Sequence, residues 1–280
     1  MGGISMKAIL IPWLLLAGLL FYGCKKDKSP GKQVFLSKLF ADGLLQYEYL
    51  YSIDKKPVRR NSYSTNTGQS VFSGFRLYEY SADGLLEYIT DFSKTNSFIN
   101  KYSIQYDVNK RPTRMNDLAA DNSIQFYYLF DYDAAGKFGA YELYNAATSK
   151  KTVSAAYSYN AGGKIAKIIR TTYQFTTPGL YDSTTFNLES FNFPPYWSYF
   201  EMLPFVGLPN GDDLFYEMLF NSYYRYYANA PPLEYTITYS NRTYNNAGLP
   251  VKVNARYVSD DNTFPPVITN KEFTYEYINN

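Results

Sequence analysis

The side chains that could do chemistry in this 280-residue chain are 25 carboxylates, one thiol and a large set of aromatics; histidine is absent. Without histidine there is no Ser-His-Asp triad, no Cys-His pair and no histidine metal centre. No Gly-x-Gly-x-x-Gly fingerprint or phosphate loop appears, so no cofactor is expected. Asp131-x-Asp133-x-Ala135-Gly136-x₅-Glu142 nearly follows a calcium-loop spacing, but its fifth position is Ala135, which has no side-chain oxygen. Its flanks also alternate like strands, not helices. A carboxylate pair that cleaves glycosides must sit about 5–10 Å apart, and no pair stands out along the chain. A non-enzyme is therefore expected, with a carboxylate-based polysaccharide hydrolase as the alternative. The candidate ligand contacts are Tyr196, Trp197 and Tyr199, whose rings could stack on sugars or on a protein partner.

The thiol, Cys24, has a distinctive setting. Lys7 precedes an uncharged, Leu- and Ile-rich run from Ala8 to Tyr22; Gly23-Cys24 and then Lys25-Lys26-Asp27-Lys28 follow. These are the n-region, h-region and small-residue junction of an export signal. The apolar run, about 15 residues, is short for a bilayer-spanning helix, which needs roughly 20. Leu20-Phe21-Tyr22-Gly23-Cys24 resembles the lipobox of bacterial lipoproteins, and Lys25-Lys26-Asp27 resembles the charged stretch that follows the cysteine in Bacteroidetes lipoproteins. The resemblance implies a signal peptide over residues 1–23, lipid attachment at Cys24 and a tether over 24–33. Two or more acyl chains, at about 0.8 kcal/mol per buried CH₂, give stable attachment without a spanning segment. The expected location is the outer membrane, on its periplasmic or its cell-surface side.

Net charge is +2, from 27 basic and 25 acidic residues, which gives no case for a nucleic-acid partner. One cysteine excludes an intrachain disulfide, so burial must supply stability, and 32 Tyr and 20 Phe offer the material.

The elements come from an internal repeat. Tyr80-Ser-Ala-Asp-Gly84, Tyr132-Asp-Ala-Ala-Gly136, Tyr159-Asn-Ala-Gly-Gly163 and Tyr244-Asn-Asn-Ala-Gly248 share one pattern. Tyr51-Ser-Ile-Asp-Lys55 and Tyr106-Asp-Val-Asn-Lys110 replace its Gly with Lys. The Gly position asks for positive φ, which Gly adopts freely, and the Lys copies read as related turns at some conformational cost. Before each turn the residues alternate. Phe126, Tyr128, Phe130 and Tyr132 oppose Gln125, Tyr127, Leu129 and Asp131; Phe273, Tyr275 and Tyr277 oppose Glu272, Thr274 and Glu276. Period two with one apolar face predicts half-buried strands. Successive repeat tyrosines from Tyr80 to Tyr159 lie 26, 26 and 27 residues apart, so each repeat is two strands and two turns. The prediction is an all-β, up-and-down antiparallel meander of about 12–14 strands, rolled or closed into a barrel-like sheet with the aromatics inside.

The Tyr-Asp/Asn-x-x-Gly-Lys/Leu run, best seen at Tyr132–Lys137, resembles the YD repeat of RHS-type proteins. With the leader, the whole chain resembles Bacteroidetes lipoproteins of unknown function that carry such hairpins and have a porin-like fold. Residues 34–280 are read as one repeat domain, interrupted over about 174–232 by an aromatic insert. There Asp212 or Asp213 could cap a short helix carrying Leu214, Phe215, Met218 and Leu219. The function expected is a membrane-anchored binding or structural module of the cell envelope. Its partners would be the membrane, through the N-terminal lipid, and a glycan or envelope protein. An outer-membrane β-barrel is a further alternative, set against the polar positions Gln105, Thr236, Thr238, Glu272 and Glu276.

Overall fold

A computed structural model describes residues 34–161, 165–173, 181–188, 220–227, 230–246, 249–260 and 267–279. Cys24, the leader, Tyr196, Trp197, Tyr199 and the proposed short helix lie outside the described residues. Sixteen strands are present among those described, and no helix. The first eight are β1 (Val34–Ala41), β2 (Leu44–Tyr51), β3 (Pro57–Ser64), β4 (Val71–Tyr80), β5 (Leu86–Ser93), β6 (Phe98–Tyr106), β7 (Pro112–Leu118) and β8 (Ile124–Tyr132). They are followed by β9 (Phe138–Asn145), β10 (Lys151–Tyr159), β11 (Ile165–Tyr173), β12 (Tyr181–Leu188), β13 (Phe220–Tyr227), β14 (Ala230–Tyr244), β15 (Pro250–Asp260) and β16 (Val267–Asn279).

Each strand pairs antiparallel with the next, and the order returns from β16 to β1 as a closed barrel. At the seam the Asp42 N–H donates to the Glu272 carbonyl (2.7 Å), the Ser37 hydroxyl donates to the Glu276 carbonyl (3.1 Å), and Lys38 meets the Glu276 carboxylate (3.7 Å). Closure removes the two unpaired edges that a meander otherwise leaves. Fourteen strands come from the repeat segments, at the upper bound of the sequence expectation. The other two, β12 and β13, come from within residues 174–232, which therefore contribute wall to the barrel. Seven-residue pairing of β11 with β12 and six-residue pairing of β12 with β13 put them there. Sequence reading did not reach these two because they lack the repeat turn that marks the others.

The repeat turns are three-residue loops. The Asp133 N–H donates to the Lys137 carbonyl and the Gly136 N–H to the Asp133 carbonyl; Ser52–Lys56, Ser81–Leu85 and Asp107–Arg111 follow the same scheme. The third loop residue has positive φ in each: 64° at Lys55, 77° at Gly84, 61° at Lys110 and 77° at Gly136. This is the loop in which a turn runs into a left-handed residue and a bulge. The residue after the tyrosine fastens it: Asp133 Oδ1 accepts the Ala135 and Lys137 N–H groups, and Asp107 Oδ1 those of Asn109 and Arg111. At the opposite end, Ser93–Ser97 and Ala119–Ser123 use the same geometry, with Asn96 and Asn122 in the left-handed position. Asn tolerates that region better than most residues.

The tyrosine itself closes each unit. Its hydroxyl donates to a carbonyl at the start of the preceding strand: Tyr80 to Pro57 (2.9 Å), Tyr106 to Leu86 (2.6 Å), Tyr132 to Pro112 (2.8 Å), Tyr159 to Phe138 (2.6 Å) and Tyr277 to Pro250 (2.6 Å). A bulge precedes it, as between Gln105 and Tyr106 and between Asp131 and Tyr132. The bulge breaks ladder pairing next to the turn, and the phenol satisfies a carbonyl there.

The alternation follows the expectation. Tyr102, Tyr128, Tyr141 and Phe273 are fully buried, whereas Leu129 stays exposed. Tyr239 is buried between exposed Thr238 and Ser240. Inward rings meet edge to face, as Phe138 does with Tyr157 at 4.7 Å. Among the described residues the rings at mid-strand are buried, and Tyr80, Tyr106, Tyr132 and Tyr159 beside the repeat turns are partly buried.

Candidate functional site

Among the described residues, the aromatic pattern of the inner wall is interrupted by a polar cluster spread over β3–β7. Arg60 and Arg76 are register partners on β3 and β4, 4% and 5% exposed. Arg76 is also opposite Asp91 of β5, Asp91 is opposite Asn100 of β6, and Tyr102 of β6 is opposite Asp117 of β7. All six therefore lie on the face that carries the buried rings.

Arg76 holds Asp91 through two parallel bonds, Nε to Oδ1 at 2.7 Å and Nη2 to Oδ2 at 2.8 Å. A two-pronged guanidinium–carboxylate pair is among the strongest charge-assisted contacts. Burial alone would lower the proton affinity of the Arg76 guanidinium, but the Asp91 carboxylate outweighs it and holds Arg76 above the ordinary arginine value. Burial likewise pushes the Asp91 carboxyl up, and Arg76 then brings it below the ordinary carboxylate range. Asn100 Nδ2 donates to the Tyr102 hydroxyl at 2.6 Å. The Tyr102 phenol is held up first by burial and then by Asp117, so it is neutral. Arg60 lies over the Tyr47 ring at 4.7 Å.

Asp117 is the exception. Its carboxyl is pushed up to about 6, by burial first and by the Asp91 charge second. Its Oδ1 and the Asn100 Oδ1 are buried with no hydrogen-bond partner among the described residues. Two carboxyls of one cluster thus have different proton affinities: Asp91 is ionised, and Asp117 takes up a proton near neutrality. That is the electrostatic arrangement of an acid beside a fixed anion. Sequence reading singled out no carboxylate pair, yet a signal exists. Arg76, Asn100 and Asp117 share the parity of Tyr78, Tyr102 and Met115, so each is a polar residue on an apolar face.

The outer wall carries two ladders that repeat each other. In the first, Arg59 Nε donates to Asn61 (2.7 Å), Asn61 donates to Glu48 (3.0 Å), Arg59 covers the Phe75 ring (3.9 Å), and Phe75 stacks on Phe92 (5.0 Å). In the second, Arg114 Nε donates to Asn116 (2.6 Å), Arg114 covers Tyr127 (4.1 Å), and Tyr127 stacks on Tyr144 (5.2 Å, 9°). Tyr144 and Lys151 then both donate to Glu142. Phe75 and Tyr127 each have one face under a guanidinium and the other against a neighbouring ring. These ladders fix cross-strand register more than they offer flat platforms. Asp133 and Glu142 of the calcium-like spacing are engaged by the turn and by Lys151; no group of three or more potential metal ligands occurs among the described residues.

The fold is similar to that of a porin-like protein from Bacteroides uniformis, with a TM-score of 0.50 at 11% identity over 83% of this chain and 90% of that one. A porin-like protein from Bacteroides vulgatus matches at 10% identity and a TM-score of 0.38, over 86% of this chain and 98% of that one. The pore of the Photorhabdus luminescens Tc holotoxin matches at 10% identity and a TM-score of 0.26, over 81% of this chain and 13% of that protein. No protein-family model matches the chain, and no curated protein matches it in sequence. The class is thus an all-β, porin-like barrel of tyrosine hairpins.

Proposed function

We propose that the chain is an exported lipoprotein, held to the outer membrane by lipid on Cys24, whose barrel is a non-catalytic binding or structural module of the envelope. The observation behind this reading is the pairing of an inner wall of buried rings with a charged outer wall. Glu48, Arg59, Arg114, Glu142 and Lys151 stand outward along the strands in paired contacts. Charges at mid-strand are costly against hydrocarbon, which disfavours the outer-membrane β-barrel alternative and leaves attachment to the lipobox-like cysteine. Glycan or envelope-protein binding is assigned to Tyr196, Trp197 and Tyr199. The anchor is tested by fractionating cells that express the native chain or Cys24→Ser: the native protein should sediment with outer membranes and the variant should not. Protease treatment of intact cells separates the surface from the periplasmic face. For the binding assignment, Trp197→Ala and Tyr199→Ala should weaken retention on envelope glycan; unchanged retention would remove these residues as contacts.

A second reading, glycan hydrolysis by carboxylates, is favoured by one feature, the Asp91/Asp117 cluster with its split proton affinities. Release of reducing ends from envelope polysaccharide, lost in Asp117→Asn, would promote it over the first.

A further inference from the structure

We propose that the end of the barrel bearing the repeat turns docks on a phospholipid surface, with the tips of the β2–β3 and β6–β7 loops entering the headgroup region. The proposal rests on the lipid anchor at Cys24 and adds an orientation and a contact surface to it.

The first observation is a paired departure from the repeat. The β4–β5 and β8–β9 loops have Ala82 and Ala134 at the tip and Gly84 and Gly136 at the positive-φ position. The β2–β3 and β6–β7 loops have instead Ile53 with Lys55, and Val108 with Lys110. Lys55 and Lys110 hold φ of 64° and 61°, where glycine is free of strain and a residue with a Cβ is not. Ile53 and Val108 are 91% and 98% exposed, the two most exposed large apolar side chains among the described residues. A β-branched apolar residue held in water at a turn tip, beside a strained cation, does nothing for the fold. Local strain that folding does not need points to function.

The second observation is charge. Around these two tips lie four cations, Lys55, Lys56, Lys110 and Arg111, against Asp54 and Asp107. Asp107 is already bound by Arg111 at 2.7 Å. Lys56 Nζ donates to the Gly84 carbonyl of the neighbouring loop at 3.0 Å, so the cations at the tips themselves are Lys55 and Lys110. An apolar tip with a lysine two residues on is a composition that suits an interfacial contact with anionic lipid. The opposite end also exposes aliphatics, including Val71, Ile124 and Val267, but these begin strands and do not crown loops.

The third observation is where the chain enters. β1 begins, and β16 ends, at the repeat-turn end, since Tyr277 near the end of β16 donates to Pro250 at the start of β15. The ten residues 24–33 span at most about 35 Å when extended. A lipid on Cys24 therefore tethers the barrel by a strand that begins at that end.

The test uses the full-length, lipidated protein on phosphatidylglycerol/phosphatidylethanolamine vesicles carrying brominated acyl chains. In a Trp197→Phe background, Ile53→Trp, Val108→Trp and, at the opposite end, Ala120→Trp report proximity to lipid by fluorescence quenching. Quenching at 53 and 108 but not at 120 is expected. Lys55→Gln with Lys110→Gln should lower quenching and vesicle affinity, by about fivefold per lysine. No quenching at 53 and 108, or equal quenching at 120, overturns the proposal whether or not the protein sediments with vesicles. Sedimentation that is indifferent to Cys24→Ser, with quenching retained, overturns the anchor reading alone.

Discussion

Asp117 shows how one residue on the wrong face of a strand carries information. Its parity is that of the buried rings, and its carboxyl titrates at about 6. A carboxyl whose folded value is raised is most comfortable protonated. Stability from this group is therefore fully present below about pH 4 and is lost as pH rises through about 6. Because Asp117 is partly reached by solvent, the loss is held to about 1–2 kcal/mol. Asp117→Asn should raise the urea midpoint at pH 8 and leave it nearly unchanged at pH 4; an equal shift at both values would show that charge is not the cause. Arg76 lies in the same cluster but behaves oppositely. Arg76→Met leaves the Asp91 charge buried without its partner and should cost about 3–5 kcal/mol. Adding Asp91→Leu should recover most of that loss, as read by equilibrium denaturation.

At the scale of the hairpin, the tyrosine and the residue after it are both consumed by the turn. Burial pushes the Tyr106 phenol up, so it remains a neutral donor to the Leu86 carbonyl. Tyr106→Phe and Tyr132→Phe should each cost about 1 kcal/mol and leave far-ultraviolet circular dichroism unchanged. The same loops predict a trade-off. Lys55→Gly and Lys110→Gly remove strain and should each stabilise the barrel by about 1 kcal/mol, while weakening lipid contact. Loss of stability in either variant would contradict the left-handed geometry. Gly74 marks a different constraint: a Cβ there would stand 2.4 Å from the Phe92 carbonyl oxygen, which belongs to the neighbouring strand's backbone. Gly74→Ala must push β4 from β5, at a cost of about 1–3 kcal/mol by thermal melting.

For the whole molecule the seam between β1 and β16 is decisive. Leu39 and Phe273 are both fully buried, one on each side of it. Truncation after Asp260 deletes β16 and leaves β1 and β15 as open edges. Open edges template association, so the shortened chain should run as larger species than the full chain in size-exclusion chromatography. Closure also explains how a chain without an intrachain disulfide accommodates 52 Tyr and Phe residues: a closed sheet gives alternate residues of every strand a common interior.

The repeat was enough, read as sequence, to establish strand parity, the hairpin turns, the antiparallel order and the special status of Lys55 and Lys110. These are local matters, set by a two-residue period and by which residues accept positive φ. Tertiary structure decided the rest. The cluster of Arg76, Asp91, Asn100 and Asp117 depends on the registers of four neighbouring strands, and each bulge shifts register by an amount that composition does not reveal. Membership of β12 and β13 in the wall depends on partners, since they carry no repeat turn of their own. Closure depends on residues 230 or more positions apart, and only the accumulated twist and stagger of sixteen strands brings Asp42 to Glu272.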